Sequence, residues 1–300
     1  MRTAFIGSVI LSKIALQTIL EFGIEVNIIF SLDESVSENV SDYFPLHEYA
    51  EQNNIQYKKF IKVNDIANDI ENGNIDYLFV VGLSQIIPEQ ILSSIKKYSI
   101  GFHPTALPKY RGRAPIPWMI LLGVRDPMVT IFKLDKGVDS GDIIIQEPYF
   151  IECDDYANDV YLKVGNALKN GLLKCLPSIY GGNACFAKQN DALATYLLKR
   201  IPIDGEINWS TMNGQKIYDL VRAVSFPYPG AYTTYNGSVV KICKAYLRPN
   251  LHYFGQNGQI AMIEHGEIFV ITNDSQLLVI QKYEFRSEKQ SKFSIGGRFR

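Results

Sequence analysis

One histidine lies in a stretch whose backbone is strongly restricted. The segment GFHPTALPKYRGRAPIPW, residues 101 to 118, contains His103 and four prolines. Each proline fixes its own φ angle, so less conformational entropy is lost when this loop becomes ordered. Such a loop is suited to holding a side chain in place rather than to opening as a lid. We therefore regard His103, which follows a predicted strand at Ile100–Phe102, as a candidate acid–base group.

Three aspartates follow in a second short stretch. The segment IFKLDKGVDSGDIIIQ, residues 131 to 146, places Asp135, Asp139 and Asp142 in a turn between two apolar runs. A hairpin or bulged crossover there would bring Asp139 to the edge of the sheet where His103 lies. A carboxylate in that place would orient the imidazole and take part in proton transfer. Aspartates also form turns by bonding their own backbone, and spacing alone does not choose among the three acids.

Apolar runs and helical patterns alternate along the first half of the chain. The predicted strands are Thr3–Ile6, Val26–Phe30, Tyr57–Phe60 and Tyr77–Val81, and the predicted helices are Leu11–Phe22, Leu46–Asn53 and Val63–Glu71. Strands that are apolar on both faces and alternate with helices indicate a parallel sheet covered on both sides. Right-handed crossovers then give a doubly wound, Rossmann-like, mostly parallel α/β domain, whose ligands bind beyond the carboxyl ends of the strands.

The first strand turns into a helix at a single glycine. Gly7 and Ser8 precede this helix, which carries Lys13, and a helix N-terminus is a candidate phosphate site, with an ordinary tight turn as the alternative. One glycine does not match the three-glycine dinucleotide fingerprint. The turn therefore argues against a nicotinamide or flavin cofactor.

Another turn follows the predicted strand that ends at Val81. Gln85 lies in this turn, and Pro88 fits the first turn of a helix. The two apolar residues between them, Ile86 and Ile87, are core residues when they are considered without further information.

The last hundred residues have a different pattern. SVVKICKAYL, GEIFVITN and QLLVIQKYEF alternate in polarity and predict short strands of a small, OB-like β-barrel or a sandwich. We expect a catalytic domain at residues 1–200 and a β-barrel-like domain at 205–300, with the linker within 190–204. The basic segment GGRFR, residues 296 to 300, is expected to be a solvated tail.

Composition limits the classes of function. The chain has 300 residues, 47% hydrophobic residues and a net charge of −1, so it lacks the strongly basic footprint typical of nucleic-acid-binding proteins. Four cysteines without paired spacing predict free thiols in a reducing cytoplasm. No apolar stretch approaches the ~18 residues of a membrane span, and Lys13 breaks the N-terminal apolar run too early for a signal peptide. No metal is expected, because ligand spacing is lacking among His47, His103, His252 and His265.

The segments FHPTALPKYRGRAPIPW and DKGVDSGDII strongly resemble the formyltransferases that use 10-formyltetrahydrofolate. That family includes methionyl-tRNA formyltransferases and N-formyltransferases of nucleotide-linked amino sugars. The resemblance extends, in order and over nearly the whole chain, through VSDYFPL, FVVGLSQIIP, KRIPIDGEINW and IYDLVRAVSFPYPGAY.

The resemblance assigns roles to individual residues. The family carries an Asn-x-His motif followed by an aspartate; His103 and Asp139 match the histidine and the aspartate, but Gly101 stands at the asparagine position. In the family the asparagine helps to hold the formyl oxygen, and losing one such donor typically costs ~10²–10³ in rate. The candidate replacements are the side chains of Ser84, Gln85 and Thr105.

The mechanism that the resemblance implies is acyl transfer without a covalent enzyme intermediate or a metal. A neutral amine attacks the formyl carbon, His103 donates a hydrogen bond to the developing oxygen, and Asp139 orients His103 and helps to move the proton. The pterin of the folate is expected between the Gln85–Pro88 turn and the Leu134–Asp139 segment. The predicted folate contacts are Gln85, Ile86, Ile87, Pro88, Leu107, Leu134 and Val138.

For the acceptor, the resemblance favours a nucleotide-linked amino sugar, a 4-amino-4,6-dideoxy hexose used for lipopolysaccharide or another surface glycan. A methionyl-tRNA enzyme must bind a polyanion and typically has a larger, more basic C-terminal domain than residues 208 to 300 supply. The predicted substrate contacts are Gly7, Ser8, Lys13, Thr105, Lys109 and Arg111.

Two alternatives stay open. One is a methionyl-tRNA formyltransferase, and the other is a non-catalytic protein that binds folate or sugar nucleotides, which the glycine at position 101 motivates. The expected partners are a small-molecule nucleotide sugar and neither nucleic acid nor a membrane. The resemblance also implies a possible homodimer, for which the composition gives no evidence.

Overall fold

The computed structural model describes residues 1–38, 40–248, 253–286 and 291–300, so His252 lies outside the described residues. The chain divides into two compact units. The first unit comprises residues 1–115, 125–151 and 161–199, and the second comprises 116–124, 152–160 and 200–300.

The elements up to residue 199 alternate in type. The strands are β1 (Thr3–Gly7), β2 (Ile28–Leu32), β3 (Gln56–Phe60), β4 (Tyr77–Val81), β5 (Tyr98–His103), β6 (Arg111–Gly112), β7 (Met128–Lys133), β8 (Ile143–Pro148) and β9 (Tyr196–Leu197). The helices are α1 (Ile10–Glu21), α2 (His47–Gln52), α3 (Ala67–Asn72), α4 (Glu89–Ser94), α5 (Pro115–Leu121) and α6 (Ala157–Gly181).

A seven-stranded sheet forms the centre of the first unit. Its strand order is β3-β2-β1-β4-β5-β7-β8, in which β1 to β5 are parallel and β7 and β8 are antiparallel. Every residue of β1 and β4 is buried, because these central strands are covered on both faces. The predicted doubly wound, mostly parallel fold is confirmed. The antiparallel β7–β8 pair contains a bulge between Ile131 and Phe132.

A short second ladder joins two distant segments of the first unit. Arg111 pairs with Tyr196 and Gly112 pairs with Leu197, so β6 and β9 are parallel. The ladder continues beyond the strands, since the Arg113 N–H donates to the Leu197 carbonyl at 3.0 Å. The segment after helix α6 is thereby attached to the loop that follows His103.

The second unit contains an antiparallel sheet and one longer helix. Its elements are α7 (Gly214–Ala223), β10 (Ala231–Tyr235), β11 (Ser238–Arg248), β12 (Ile260–Glu264), β13 (Glu267–Ile271) and β14 (Leu277–Phe285). The sheet has the order β10-β11-β14-β13-β12. This arrangement confirms the β-rich C-terminal region.

The C-terminal segment corrects one prediction. GGRFR is not a solvated tail, because Phe299 is only 1% exposed and stacks on Trp209 with ring centroids 5.7 Å apart. Phe299 bridges to Tyr235 at the end of β10, and Arg298 bridges to Gln259 just before β12. The segment therefore connects the two edge strands of the sheet, and alternating polarity in five residues was too short a signal to predict this.

Across the parts of the chain that the structure describes, no helix combines the length and the apolar character needed to cross a membrane.

Candidate active site

His103 is the last residue of β5 and lies opposite Thr130 of β7. Its side chain is buried, with 5% of the residue exposed. The ring atom Nε2 lies 2.8 Å from the carbonyl oxygen of Tyr110. Because a carbonyl oxygen can only accept a hydrogen bond, Nε2 must carry a proton. The atom that is left for proton transfer is therefore Nδ1.

Asp139 faces that second nitrogen. It lies in the loop between β7 and β8, and its Oδ2 is 3.5 Å from Nδ1 of His103. The same oxygen accepts a hydrogen bond of 2.8 Å from the backbone N–H of Gly112. The sequence placed these two side chains at one edge of the sheet, and the structure brings them together. A proton on Nδ1 would lie between the ring and the carboxylate, which is the arrangement that acid–base catalysis requires.

The loop after His103 is held by several internal hydrogen bonds. The Thr105 hydroxyl donates to the Lys109 carbonyl at 3.0 Å, and the Thr105 carbonyl accepts from the Thr130 hydroxyl at 2.6 Å. The buried Tyr149 hydroxyl donates to the Pro104 carbonyl at 2.9 Å. The loop is thus fixed at both sides of the imidazole, as its prolines predict.

Left-handed backbone conformations cluster at this site. Tyr110, Ala114 and Asp139 have φ values of 64°, 51° and 50°, and Gly112 has a φ of 112°. Each such non-glycine residue costs about 1–3 kcal/mol, so the surrounding contacts must enforce the conformation. A Cβ atom at Gly112 would lie 2.4 Å from the Leu197 carbonyl oxygen, which explains why this position carries glycine.

Gly101 stands at the asparagine position of the family, and an apolar side chain fills the space beside it. A Cβ atom at Gly101 would lie 2.5 Å from Cδ2 of Leu134 and 3.2 Å from Cζ of Phe132. Leu134 therefore fills the space that a longer residue at position 101 would need. The wall beside His103 supplies no polar donor at this point.

Two of the three candidate replacement donors are already engaged. The Gln85 amide accepts from the Val63 N–H at 2.8 Å and donates to the Ile61 carbonyl at 2.9 Å, and the Thr105 hydroxyl bonds within its own loop. Ser84 is exposed and stays a candidate.

The predicted folate residues differ widely in exposure. Ile87 is buried in the hydrophobic cluster that contains Val80 and Ile91, which is the core position that the sequence indicated first. Ile86 is 65% exposed and Val138 is 46% exposed, so both are available to a ligand.

Other predicted folate residues serve the fold at least in part. Pro88 is the N-cap residue of α4, and Leu107 is buried. The carbonyl of Leu107 accepts a hydrogen bond from the Gln146 side chain at 2.9 Å. Leu134 and Asp139 both lie in the loop between β7 and β8.

The turn after β1 is held by hydrogen bonds within the protein. The N–H groups of Ser8 and Val9, which precede helix α1, both donate to the Ser12 hydroxyl, at 3.0 and 3.1 Å. The buried Ser8 hydroxyl accepts from the Leu32 N–H at 2.6 Å. Gly7 is buried, and a Cβ there would clash with Ser12. The amide and the hydroxyl of Ser8 are therefore engaged inside the protein, and a phosphate site at this helix N-terminus stays a prediction.

Three other predicted substrate residues, Lys13, Thr105 and Lys109, differ in their surroundings. The ammonium of Lys13 lies over the Phe44 ring, 4.9 Å from its centroid. Thr105 is fully buried, so it does not contact substrate. Lys109 is exposed and stays a candidate.

Arg111 is not a substrate residue, because it is 2% exposed and hydrogen-bonded to protein groups. Its Nε and Nη2 donate to Oε1 of Gln189 at 3.2 and 2.8 Å, and Nη2 also donates to Asp191 at 2.7 Å. Gln189 itself was not predicted. Nothing in the sequence distinguishes this glutamine, whose contacts depend on residues far away in the chain.

Comparisons with known proteins identify the family of the chain. A model described as formyl transferase matches residues 25–176, and a model of the formyl transferase C-terminal domain matches residues 200–294. The chain belongs to the formyl transferase family. The predicted resemblance is thus confirmed, and so is the prediction of a folate-dependent formyltransferase with 10-formyltetrahydrofolate as donor.

Relatives within the formyl transferase family are similar along most of the chain. The methionyl-tRNA formyltransferase of Rickettsia massiliae is 33% identical over 211 residues, which are 70% of this chain and 68% of that protein. The methionyl-tRNA formyltransferase of Caldanaerobacter subterraneus is 28% identical over 304 residues, covering 99% of this chain and 97% of that protein. The crystal structure of WlaRD, a sugar 3N-formyl transferase, has a TM-score of 0.70 at 21% identity and covers 94% of this chain and 97% of that one.

Proposed function

We propose that this formyltransferase moves the formyl group of 10-formyltetrahydrofolate to the amine of a nucleotide-linked amino sugar. The observation that carries the proposal is the pairing of His103 and Asp139 at the carboxyl end of β5, with 3.5 Å between Nδ1 and Oδ2. An imidazole whose other nitrogen is fixed by a carbonyl can take a proton only at Nδ1, beside the carboxylate.

The proposed chemistry divides the work between these two groups. The amine nitrogen of the acceptor bonds to the formyl carbon, and the bond from that carbon to the folate nitrogen breaks. The proton that the amine loses passes to Asp139, directly or through water, and from there to the departing folate nitrogen. The Gly112 N–H, 2.8 Å from Oδ2, keeps the carboxylate aimed at the ring throughout.

The oxygen of the formyl group needs a hydrogen-bond donor as it becomes negative. Gly101 supplies none, and Nε2 of His103 is engaged with Tyr110. We therefore assign this role to a protonated Nδ1, with Ser84 as the second candidate.

Apolar surface near the two loops fits a flat heterocycle. Binding sites for such ligands are mostly apolar with a few polar groups. Ile86, in the turn after β4, and Val138, next to Asp139, are exposed apolar side chains of this kind. We propose that they contact the pterin, together with the backbone of Gln85.

The sugar-nucleotide acceptor is supported by the structural likeness to WlaRD, which was crystallised with dTDP and 5-N-formyl-THF. The net charge of −1 gives the whole chain no general attraction for a polyanion. A 4-amino-4,6-dideoxy hexose, a role in surface glycans, a cytoplasmic location and a homodimer stay predictions.

A methionyl-tRNA formyltransferase is the second candidate. The curated relatives described above carry that name, and residues 200–300 contain 12 Lys and Arg against 8 Asp and Glu, a local positive excess. The prediction that a short C-terminal part argues against tRNA is wrong, since the Caldanaerobacter enzyme is matched over 97% of its length by this chain. Length therefore does not separate the two acceptors.

The test is a direct comparison of acceptors. The purified protein is incubated with 10-formyltetrahydrofolate and either a panel of nucleotide amino sugars or charged initiator tRNA, and the mass gain of one formyl group is measured. We expect formylation of a 3- or 4-amino sugar nucleotide to exceed that of the tRNA. Faster formylation of the tRNA would establish the second candidate instead.

Variants separate catalysis from binding. His103→Ala and Asp139→Asn should each lower turnover by about 10²–10⁴-fold while both substrates still bind. A wild-type protein that binds both substrates but transfers no formyl group would instead support a non-catalytic binding protein.

A further inference from the structure

We propose that Gln189 is a positioning residue for the catalytic carboxylate, holding Asp139 through its backbone; this inference rests on the proposed formyl transfer. Gln189 is buried, and its Nε2 donates to the carbonyl oxygens of Asp139 at 2.9 Å and Gly141 at 2.7 Å. One amide thus spans both sides of the turn that carries the carboxylate.

The orientation of this amide follows from its partners. Oε1 of Gln189 faces Nε and Nη2 of Arg111, which can only donate, and Nε2 faces two carbonyl oxygens, which can only accept. The opposite orientation of the amide would leave four mismatched contacts in a buried place. Arg111 therefore fixes Gln189, and Gln189 fixes the loop.

The Asp139 backbone requires such support. Its φ of 50° is in the left-handed region, where a residue other than glycine persists only when several contacts enforce it. The Gly112 N–H holds the side chain at Oδ2, and Gln189 holds the carbonyl of the same residue. With both ends fixed, the carboxylate cannot swing away from His103.

Both contacts lead back to strand β6. Gly112, whose N–H holds the Asp139 carboxylate, and Arg111, whose guanidinium holds Gln189, are the two residues of β6, which pairs with β9. The side chain and the backbone of Asp139 are therefore held through one short strand. Misplacing a catalytic group by 1 Å can cost as much as about 10²-fold in rate, which makes such an element valuable.

Two matched variants separate this role from general stability. Gln189→Glu keeps an acceptor for Arg111 but replaces the donors to Asp139 and Gly141 with a carboxylate oxygen. Asp191→Asn weakens a different contact of Arg111, the 2.7 Å ion pair with the Asp191 side chain, which is 77% exposed. Asp191 has no contact with the Asp139 turn in the described structure. Gln189→Met, neutral and of similar length, serves if the glutamate variant does not fold.

We expect Gln189→Glu to lower kcat at least about tenfold while KM for both substrates stays within about twofold. Asp191→Asn should keep kcat within about twofold of wild type. In an Asp139→Asn background, Gln189→Glu should add less than a further twofold, because the group that it positions is already gone. Unchanged kcat in Gln189→Glu, an equal loss in both single variants, or fully multiplicative losses in the double variant would overturn the proposal.

A spectroscopic measurement keeps the proposal testable without turnover. The amide proton of Gly112 bonds to the Asp139 carboxylate, so its NMR resonance reports the position of Oδ2. It should shift in Gln189→Glu and stay in place in Asp191→Asn. No shift in either variant refutes the positioning role, whereas absent formyl transfer by wild type with every acceptor refutes the proposed function alone.

Discussion

Adding a methyl group at Gly101 tests the packing that distinguishes this site from the family pattern. The new Cβ would lie 2.5 Å from Cδ2 of Leu134, about 1 Å closer than the 3.4–4 Å of an ordinary contact. Extra atoms in a packed core typically cost about 1–3 kcal/mol, and the flexible end of a leucine places this case near the low end. For a unit of this size, 1 kcal/mol shifts the melting temperature by about 2–4 °C.

The assay is a double-mutant cycle in which calorimetry measures the melting temperature of each variant. Gly101→Ala should lower the melting temperature of the first unit by about 2–4 °C. Leu134→Ala alone should also destabilise this unit by removing apolar contacts. The double variant should be more stable than the sum of the two losses predicts, by a coupling energy of about 1 kcal/mol.

The result that refutes this reasoning is additivity. If the two substitutions add without coupling, the alanine methyl does not meet Leu134 and the position is glycine for another reason. A functional extension uses Gly101→Asn, which should fold and turn over better when combined with Leu134→Ala than alone.

Three further predictions concern other parts of the first unit. Gly112→Ala should cost at least about 1–3 kcal/mol and reduce kcat, because the new Cβ meets the Leu197 carbonyl and moves the N–H that holds the catalytic carboxylate; unaltered melting and kcat would contradict this. Burial raises the pKa of Asp42, which accepts a hydrogen bond from Tyr161. As pH rises from about 4 towards 7, the free energy of unfolding of the wild type should therefore fall relative to that of Asp42→Asn. A difference between the two proteins that stays constant with pH would contradict this. Burial also raises the pKa of Cys175 to about 12, so iodoacetamide at pH 8 should label the exposed cysteines of the folded protein first, and equal labelling rates would contradict the burial.

The central strands were readable because each is a continuous apolar run. β1 and β4 are buried throughout. Buried runs of this kind that alternate with helices indicate a parallel sheet covered on both faces. That sheet, with a turn between two adjacent strands, brought a group of three aspartates to the edge where His103 lies. The choice of Asp139 among them came from the resemblance to the formyltransferases.

The failures have a common physical cause. Ser8 was expected to face a phosphate, but its amide donates to the Ser12 hydroxyl and its own hydroxyl accepts from the Leu32 N–H. Arg111 was expected to face a ligand, but Gln189, 78 positions away, binds its guanidinium inside the protein. A polar side chain has the same identity whether its partner is a substrate or another residue. Only the folded arrangement distinguishes these cases.

The β6–β9 ladder determines how short a working version of the catalytic unit can be. The N-terminal family model ends its match at residue 176, yet Leu197 pairs with Gly112, whose amide holds the reactive carboxylate. A fragment or chimera joined at residue 176 would retain His103 and Asp139 but lose the segment that aligns them. Engineers who exchange the C-terminal part between relatives should therefore place the junction after Lys199, where the first compact unit ends.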